Sequence, residues 1–236
     1  MTLKSLAAAL ATTALVTTAL AAFAPPGLAQ DKTGPNVDAT ASGAHAGAST
    51  YAIAQDLYAL GMANKDALTV LTAARLAASV DLKEGAEIQK ETKGEAREEE
   101  ADVADAPVDA AMMLASAREL AAGDDTLLGL IEEAQADAAR GPIGGAVRYL
   151  SRLPAGRTDV WEVPFYGNSY AEMAVIGDGD ANLDVLVTDE NGNTICTEIS
   201  YSDKITCDVV PAWNGYFYIT VQNNGRKRNS YYLLTN

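Results

Sequence analysis

The protein has 236 residues, and its 32 acidic side chains outnumber its 17 basic ones, which leaves a formal charge of −15 at pH 7. So acidic a chain is repelled by phosphate backbones and by anionic lipids, which argues against nucleic acid as a partner. Hydrophobic residues make up 48% of the chain, and this share is typical of a folded protein rather than a disordered one.

The N-terminus has the pattern of a secretory signal peptide. Lys4 precedes an uninterrupted run of small and apolar residues from Ser5 to Ala24, and a small-x-small stretch then ends at Ala29. The pattern predicts a signal peptide over residues 1–29 that is cleaved after Ala29. A retained membrane helix is the alternative, because the run approaches the roughly 20 residues that span a bilayer, but the missing basic flank disfavours it. We therefore expect a periplasmic or secreted protein with no membrane contact after signal removal.

An exported protein meets an oxidising compartment, in which cysteines tend to pair. Cys196 and Cys207 are the only cysteines of the chain. Neither has a neighbouring histidine or a CxxC partner, which would favour metal binding or catalysis. We predict a structural disulfide between them, and closing so short a loop is worth roughly 3 kcal/mol of stability.

Residues 30–49 are rich in Gly, Ala, Ser and Asp and are predicted to be a flexible leader, which contains the only histidine, His45. Apolar residues at helical spacing then predict a helical unit over residues 50–145. We expect its four helices at about residues 51–64, 65–80, 107–123 and 124–141. Such a unit usually serves packing or partner contact.

The segment 81–107 interrupts the helical pattern with acidic residues and almost no large apolar side chain. Its composition predicts a disordered insert or an exposed helix extension. Buffering of calcium by these carboxylates is an alternative, and a solvated run of charges is the favoured interpretation.

From about residue 157 onward, apolar residues alternate with polar ones, and turn signals recur roughly every eight to twelve residues, as in a β-sandwich. Leu183, Val185 and Val187 alternate before Asn191 and Gly192, an Asn-Gly pair typical of a primed hairpin turn. The predicted fold class is therefore α+β in two parts, a small four-helix unit followed by an antiparallel β-sandwich.

Four motifs of the second part occur in a recognisable order: TDVWEVPFYG, IGDGDANLDVLVTDENGN, NGYFYITVQNNG and SYYLLT. In order and spacing they resemble the bacterial prepeptidase C-terminal domain, over about residues 155–236. Asn182 stands where that family often has an acid, and the cysteine pair is a second departure. The resemblance implies a jelly-roll-like, non-catalytic module that assists secretion, localisation or substrate contact.

The residues themselves favour a protein that is not an enzyme. A serine triad, a cysteine-histidine pair and a histidine-based zinc site each need a positioned histidine, whereas His45 lies in the leader. The chain contains neither an SxxK motif nor a phosphate-binding P-loop. A hydrolase with paired carboxylates stays open on composition alone, because acids are abundant.

Oxygen donors cluster in the stretch GDGDANLD. Its candidate calcium ligands are Asp178, Asp180, Asn182 and Asp184. An EF-hand is rejected, because Leu183 stands where the loop requires glycine and a strand follows instead of a helix. The favoured interpretation is that these residues supply turn geometry and an edge charge against aggregation. A structural calcium ion is the alternative, and no other cofactor is expected.

Tyrosines are the candidate ligand-binding residues. Alternation predicts that Tyr216 and Tyr218 point outward from their strand, with Trp213 in the preceding turn and Tyr201 in a neighbouring loop. Exposed aromatic rings can stack on sugars or bind extended peptides. The same side chains could instead pack against the helical unit.

Together these features predict an exported, non-enzymatic binding protein whose sandwich serves recognition or localisation. Its expected partner is a protein, peptide or polysaccharide in the envelope or outside the cell. The alternatives are a calcium-stabilised structural envelope protein and an accessory subunit of a secreted hydrolase.

Overall fold

A computed structural model describes residues 32–43, 47–97, 104–138 and 144–236. The predicted signal peptide and His45 lie outside these residues. Within them, the order of elements is four helices interleaved with ten strands. The helices are α1 (Gly47–Asn64), α2 (Ala67–Ala78), α3 (Ala110–Leu120) and α4 (Asp125–Ala138). The strands are β1 (Val80–Glu84), β2 (Gln89–Lys93), β3 (Gly144–Leu153), β4 (Thr158–Phe165), β5 (Ala171–Ile176), β6 (Leu183–Asp189), β7 (Thr194–Glu198), β8 (Lys204–Val209), β9 (Gly215–Asn223) and β10 (Asn229–Thr235).

The strands form two five-stranded sheets. Sheet A has the order β1-β3-β10-β5-β8, and sheet B has the order β2-β4-β9-β6-β7. Neighbouring strands are antiparallel, apart from the parallel pair β1 and β3. The predicted fold class, four helices and a β-sandwich, is therefore confirmed.

Alternation along the strands builds the core between the sheets. In β9, Phe217, Ile219 and Val221 are buried while their neighbours Tyr216 and Tyr218 are not. The strand β10 differs, because all seven of its residues are buried. One face of β10 meets sheet B and the other meets the helices, as expected of a strand covered on both sides.

The helices pack on the outer face of sheet A. Ala48, Tyr51 and Ala52 of α1 share a buried cluster with Ile176 of β5 and Leu234 of β10. Alanine is frequent on the buried side of α1, and its small side chain lets the helix lie close to the strands. The helices and sheet A therefore share this buried cluster.

The expectation of disorder over residues 81–107 is wrong for the first half of that segment, which supplies the edge strands β1 and β2. Lys90 and Thr92 point inward from β2 and donate hydrogen bonds to the buried carboxylate of Asp159, at 3.5 and 2.5 Å. This anchoring explains why a strand so rich in charge joins the sheet. Residues 98–103 lie outside the described part of the chain.

The expectation of a flexible leader over residues 30–49 is also wrong where the structure describes it. Asn36 is fully buried against the sandwich, and α1 already begins at Gly47. The backbone N–H of Asp38 donates to the carbonyl of Val210 over 2.8 Å. These hydrogen bonds hold residues 32–43 along the end of the sandwich, as a segment that we call the strap.

Among the described residues, none of the helices combines the length and the apolar character that crossing a membrane requires.

Candidate functional site

Each sheet turns one face to the core, but their other faces differ. In the described part of the chain, the helices pack on sheet A and leave the outer face of sheet B to solvent. We call the outward side chains of β4, β9 and β6 the open face. It consists of Thr158, Val160, Glu162, Pro164, Tyr216, Tyr218, Thr220, Gln222, Asp184, Leu186 and Thr188.

The strand register places apolar and aromatic side chains of the open face along a diagonal. Tyr216 lies opposite Pro164, and Tyr218 lies two residues further along β9. Leu186 of β6 lies opposite Thr220, again two residues further on. Strand geometry puts about 14 Å between the ends of this diagonal. Tyr216 is 49% exposed and Leu186 is 38% exposed. We call the row formed by Tyr216, Tyr218 and Leu186 the track.

Carboxylates flank the tyrosines of this track. Glu162 lies directly opposite Tyr218 in the register of β4 and β9. Partial burial raises the pKa of the Tyr218 hydroxyl, and the negative charges of Glu162 and Glu190 raise it further. The phenol therefore stays neutral at physiological pH and keeps its proton for donation.

A small cleft continues the track beyond the end of β9. Its volume is about 230 Å³, and its walls include Tyr166, Asn214 and Tyr216. Tyr166 is 76% exposed. Sequence reasoning missed Tyr166, although its position directly after β4 places it at the end of the sheet where β9 begins.

Trp213 and Tyr201, which were predicted to join the ligand-binding set, do not lie on the track. Trp213 is buried, because its indole N–H donates to the carboxylate of Glu190 and its backbone bonds to Asn36. Its role is to hold Glu190 beside the open face. Tyr201 is fully exposed, but it lies at the other end of sheet B from Tyr216. Its neighbour Ser202 accepts a hydrogen bond there, through its carbonyl, from the backbone N–H of Leu183.

The predicted calcium ligands Asp178 and Asp180 are engaged by protein donors. Asp178 accepts from the backbone N–H groups of Ser230 and Asp180, at 2.7 and 3.0 Å. Asp180 accepts from the backbone N–H of Ala104 at 2.6 Å. Burial raises the pKa of Asp178, and the nearby charge of Asp180 adds to this against the lowering effect of the hydrogen bonds.

Asn182 and Asp184, the other two predicted ligands, bond to each other. The amide of Asn182 donates to Asp184 over 3.1 Å, and Asn224 donates to the second oxygen of Asp184. The side-chain oxygen of Asn182 is enclosed and has no hydrogen-bond partner among the described residues. In the described ranges, no three His, Cys, Asp or Glu side chains lie close enough together to hold a metal. Calcium binding at this loop stays a prediction.

The predicted disulfide between Cys196 and Cys207 is confirmed. Cys196 lies on β7 and Cys207 on β8, with their Cα atoms 6.1 Å apart. These are the edge strands of sheet B and sheet A, respectively. The bond therefore joins the two sheets at one edge of the sandwich.

A buried polar network that the sequence did not reveal lies between the sheets. Asp159 accepts from the hydroxyls of Ser151 and Tyr231, at 2.6 and 2.7 Å. The indole N–H of Trp161 donates to the Tyr231 hydroxyl, and Lys90 donates to Ser151 over 2.8 Å. Burial raises the pKa of Tyr231 well above its usual value, and the charge of Asp159 contributes to the rise. These groups satisfy one another, as a buried network must to be stable.

Comparisons with known proteins concern the sandwich. No protein-family model matches the chain, and no curated protein matches it. Three solved structures illustrate the likeness. The pre-peptidase C-terminal domain of a collagenase from Bacillus anthracis is 15% identical, with a TM-score of 0.33, over 38% of this chain and 87% of that one. A mitogen derived from Yersinia pseudotuberculosis is 15% identical, with a TM-score of 0.27, over 39% of this chain and 86% of that one. A family 35 carbohydrate binding module from Clostridium thermocellum is 17% identical, with a TM-score of 0.22, over 38% of this chain and 90% of that one.

The first of these structures agrees with the resemblance that the four sequence motifs carry. At such identities and TM-scores, these matches carry no argument about fold or activity. The sandwich of this chain is similar to a pre-peptidase C-terminal domain, and its helical half has no counterpart in these matches.

Proposed function

We propose that this protein is an exported, non-catalytic recognition protein that binds an extended polymer through the open face of sheet B. The observation that carries the proposal is the contrast between the two sheets. Helices cover the outer face of sheet A, whereas the outer face of sheet B presents Tyr216, Tyr218 and Leu186 to solvent.

The physical basis is the chemistry of tyrosine on a rigid strand. A tyrosine ring offers a large apolar surface and a polar tip at little cost in conformational entropy. Two such rings two residues apart on β9, continued by Leu186 and by the Tyr166 cleft, suit a ligand that extends across several contacts. A polysaccharide or a peptide outside the cell has this shape.

Export is supported by the signal-peptide pattern of residues 1–29 and by the disulfide between Cys196 and Cys207. A periplasmic or secreted location is therefore part of the proposal. The role of the sandwich would be to place the protein on its ligand, and the role of the helices would be to stabilise sheet A.

A retention assay tests the proposal. The protein is incubated with a panel of insoluble polysaccharides and immobilised peptides, and the bound fraction is compared with that of a Tyr216→Ala plus Tyr218→Ala variant. We expect at least one polymer to retain the wild type and the double variant to bind it roughly tenfold more weakly or worse.

Tyr201→Ala is the matched control, because Tyr201 is fully exposed at the opposite end of the sheet. Its retention should equal that of the wild type. If the double variant is retained as well as the wild type on every polymer of the panel, the open face is not the binding surface.

A further inference from the structure

The open face is acidic, and this narrows the chemistry of its ligand. Glu162 and Asp184 point outward from β4 and β6. On the neighbouring edge strand β2, Glu91 forms an ion pair of 3.0 Å with Lys93, so that these two charges largely cancel. The whole chain carries a formal charge of −15. A ligand with negative groups would be repelled, and one with positive groups would be attracted.

The charge is concentrated where the tyrosines lie. Glu162 is the direct cross-strand neighbour of Tyr218. Glu190 is fixed on the same side by the indole of Trp213 and by the side chain of Asn36. The negative charges of both carboxylates raise the pKa of the Tyr218 hydroxyl. A ring face with a carboxylate beside it is a favourable environment for an ammonium group, which is attracted both by the π-system and by the charge.

Gly215 helps to shape this end of the face. A Cβ atom at Gly215 would lie 2.5 Å from an oxygen of Glu190 and 2.6 Å from the side-chain nitrogen of Asn36. The glycine therefore lets Glu190 approach the start of β9. The carboxylate of Glu190, which follows β6 in the chain, is held there by its hydrogen bonds from Trp213 and Asn36.

A sheet face recognises a polysaccharide more readily than a peptide. The backbone of β9 is paired with β4 on one side and with β6 on the other, so its N–H and C=O groups are occupied. An extended peptide binds best where its own backbone can pair with an open strand edge. A polysaccharide has no backbone amides to satisfy, and its rings can stack on exposed tyrosines.

We infer that the ligand of the open face is a polysaccharide that carries free amino groups, with its sugar rings on Tyr216 and Tyr218 and an ammonium group at Glu162. The inference rests on the proposed function, because it names the ligand of the same face. It also accounts for the two carboxylates, Glu162 and Glu190, that lie near Tyr218.

The test compares polymers of the same linkage that differ in the group at C2 of each sugar: a free amine, an acetamide or a hydroxyl. Retention of the protein is measured on poly-glucosamine (chitosan), on its acetylated counterpart chitin and on cellulose, at pH 6 and 150 mM salt. This salt screens the charge of the chain as a whole. We expect wild type to bind poly-glucosamine roughly tenfold more tightly than either neutral polymer.

Glu162→Gln should abolish most of this preference while leaving the weaker retention on neutral polymers unchanged. Glu91→Gln is the matched control, because Glu91 lies on the same sheet but is paired with Lys93. It should bind like the wild type.

Each other outcome has a defined meaning. Equal, tyrosine-dependent retention on all three polymers would overturn the amino-group inference and leave the proposed function intact. If Glu162→Gln and the double tyrosine variant were both retained on poly-glucosamine as well as the wild type, the attraction would come from net charge alone. This result would also overturn the inference. Immobilised poly-lysine is tested alongside the three polysaccharides. If it binds the protein more tightly than poly-glucosamine does, and if this binding depends on the two tyrosines, the ligand of the open face is a basic peptide instead. No retention on any polymer would contradict both the inference and the proposed function.

Discussion

The backbone N–H of Asn36 donates a hydrogen bond of 2.8 Å to the buried carboxylate of Asp189. The two residues are 153 positions apart in sequence. The side chain of Asn36 continues the contact, because it accepts from the backbone N–H of Trp213 and donates to the carbonyl of the same residue. The strap is thus part of the end of the sandwich that carries Trp213, Glu190 and the beginning of β9.

Replacing Asn36 tests whether the strap stabilises the fold. Asn36→Ala removes the side-chain bonds to Trp213 and leaves buried backbone groups without a partner, so we expect a loss of roughly 1–3 kcal/mol in the free energy of unfolding. Urea denaturation followed by tryptophan fluorescence measures it. Thr40→Ala, in the exposed part of the strap, should change the free energy by less than about 0.5 kcal/mol. An unchanged urea midpoint for Asn36→Ala would mean that the side-chain bonds of Asn36 contribute nothing to stability.

The same contact predicts a dependence on pH. Burial alone would raise the pKa of Asp189, but hydrogen bonds from the side chain of Asn193 and the backbone of Asn36 outweigh it and lower the pKa below 3.8. A carboxyl whose pKa is lowered on folding stabilises the protein above its unfolded pKa of about 3.9, and this contribution is lost as the pH falls through the folded value. The free energy of unfolding should therefore decrease below pH 4.

Asp189→Asn should flatten that decrease, although it lowers stability at neutral pH. Chemical denaturation at a series of pH values between about 3 and 7 compares the two proteins. A wild type and a variant with parallel pH profiles would show that Asp189 does not take part in the acid response.

Removing the disulfide should weaken the sandwich at its β7–β8 edge. Replacing both Cys196 and Cys207 by alanine removes the link between the edge strands of the two sheets. We expect a loss of roughly 3 kcal/mol, which lowers the melting temperature by several degrees under oxidising conditions. Adding a reductant should bring the wild type to the level of the variant. Identical melting temperatures of the oxidised wild type and the variant would contradict this prediction.

Calcium should raise the melting temperature if the Asp178 loop binds it. The raised pKa of Asp178 reflects its burial and the nearby charge of Asp180, and a cation between the two carboxylates would relieve that repulsion. The melting temperature is measured with millimolar calcium and with excess chelator, for the wild type and for Asp180→Ala. A rise in the wild type alone supports a metal site. No shift in the wild type leaves the loop as turn and strand chemistry.

Much of the fold follows from local patterns in the sequence. The helices predicted at about residues 65–80 and 107–123 are found as α2 and α3. They begin where the side chains of Asp66 and Asp109 accept hydrogen bonds from backbone N–H groups. The Asn191-Gly192 pair also marks the turn between β6 and β7, but the predicted primed type is wrong. Gly192 has a φ of +82° that favours glycine, whereas Asn191 does not have the positive φ that a primed turn of this kind requires.

The residues that local patterns missed depend on partners far along the chain. The strand β2 carries many charges, and it is ordered because Lys90 and Thr92 reach Asp159, 69 and 67 residues away. Trp213 is expected on the surface when only its turn is considered. Its burial follows from Glu190 and Asn36, which the fold brings to it. Composition and periodicity cannot predict pairings between residues so far apart in the sequence.

Mapping a bound oligosaccharide on the protein shows whether the open face is the sugar-binding surface. Backbone amide signals of the protein are followed by NMR at pH 6 during titration with a glucosamine hexasaccharide and, separately, with a glucose hexasaccharide. We expect the largest shifts on β4, β9 and β6 around Tyr216, Tyr218 and Leu186, and we expect the glucosamine oligomer to produce them at the lower concentration. Shifts confined to the helices or to the Asp178 loop would contradict the assignment of the open face as the recognition surface.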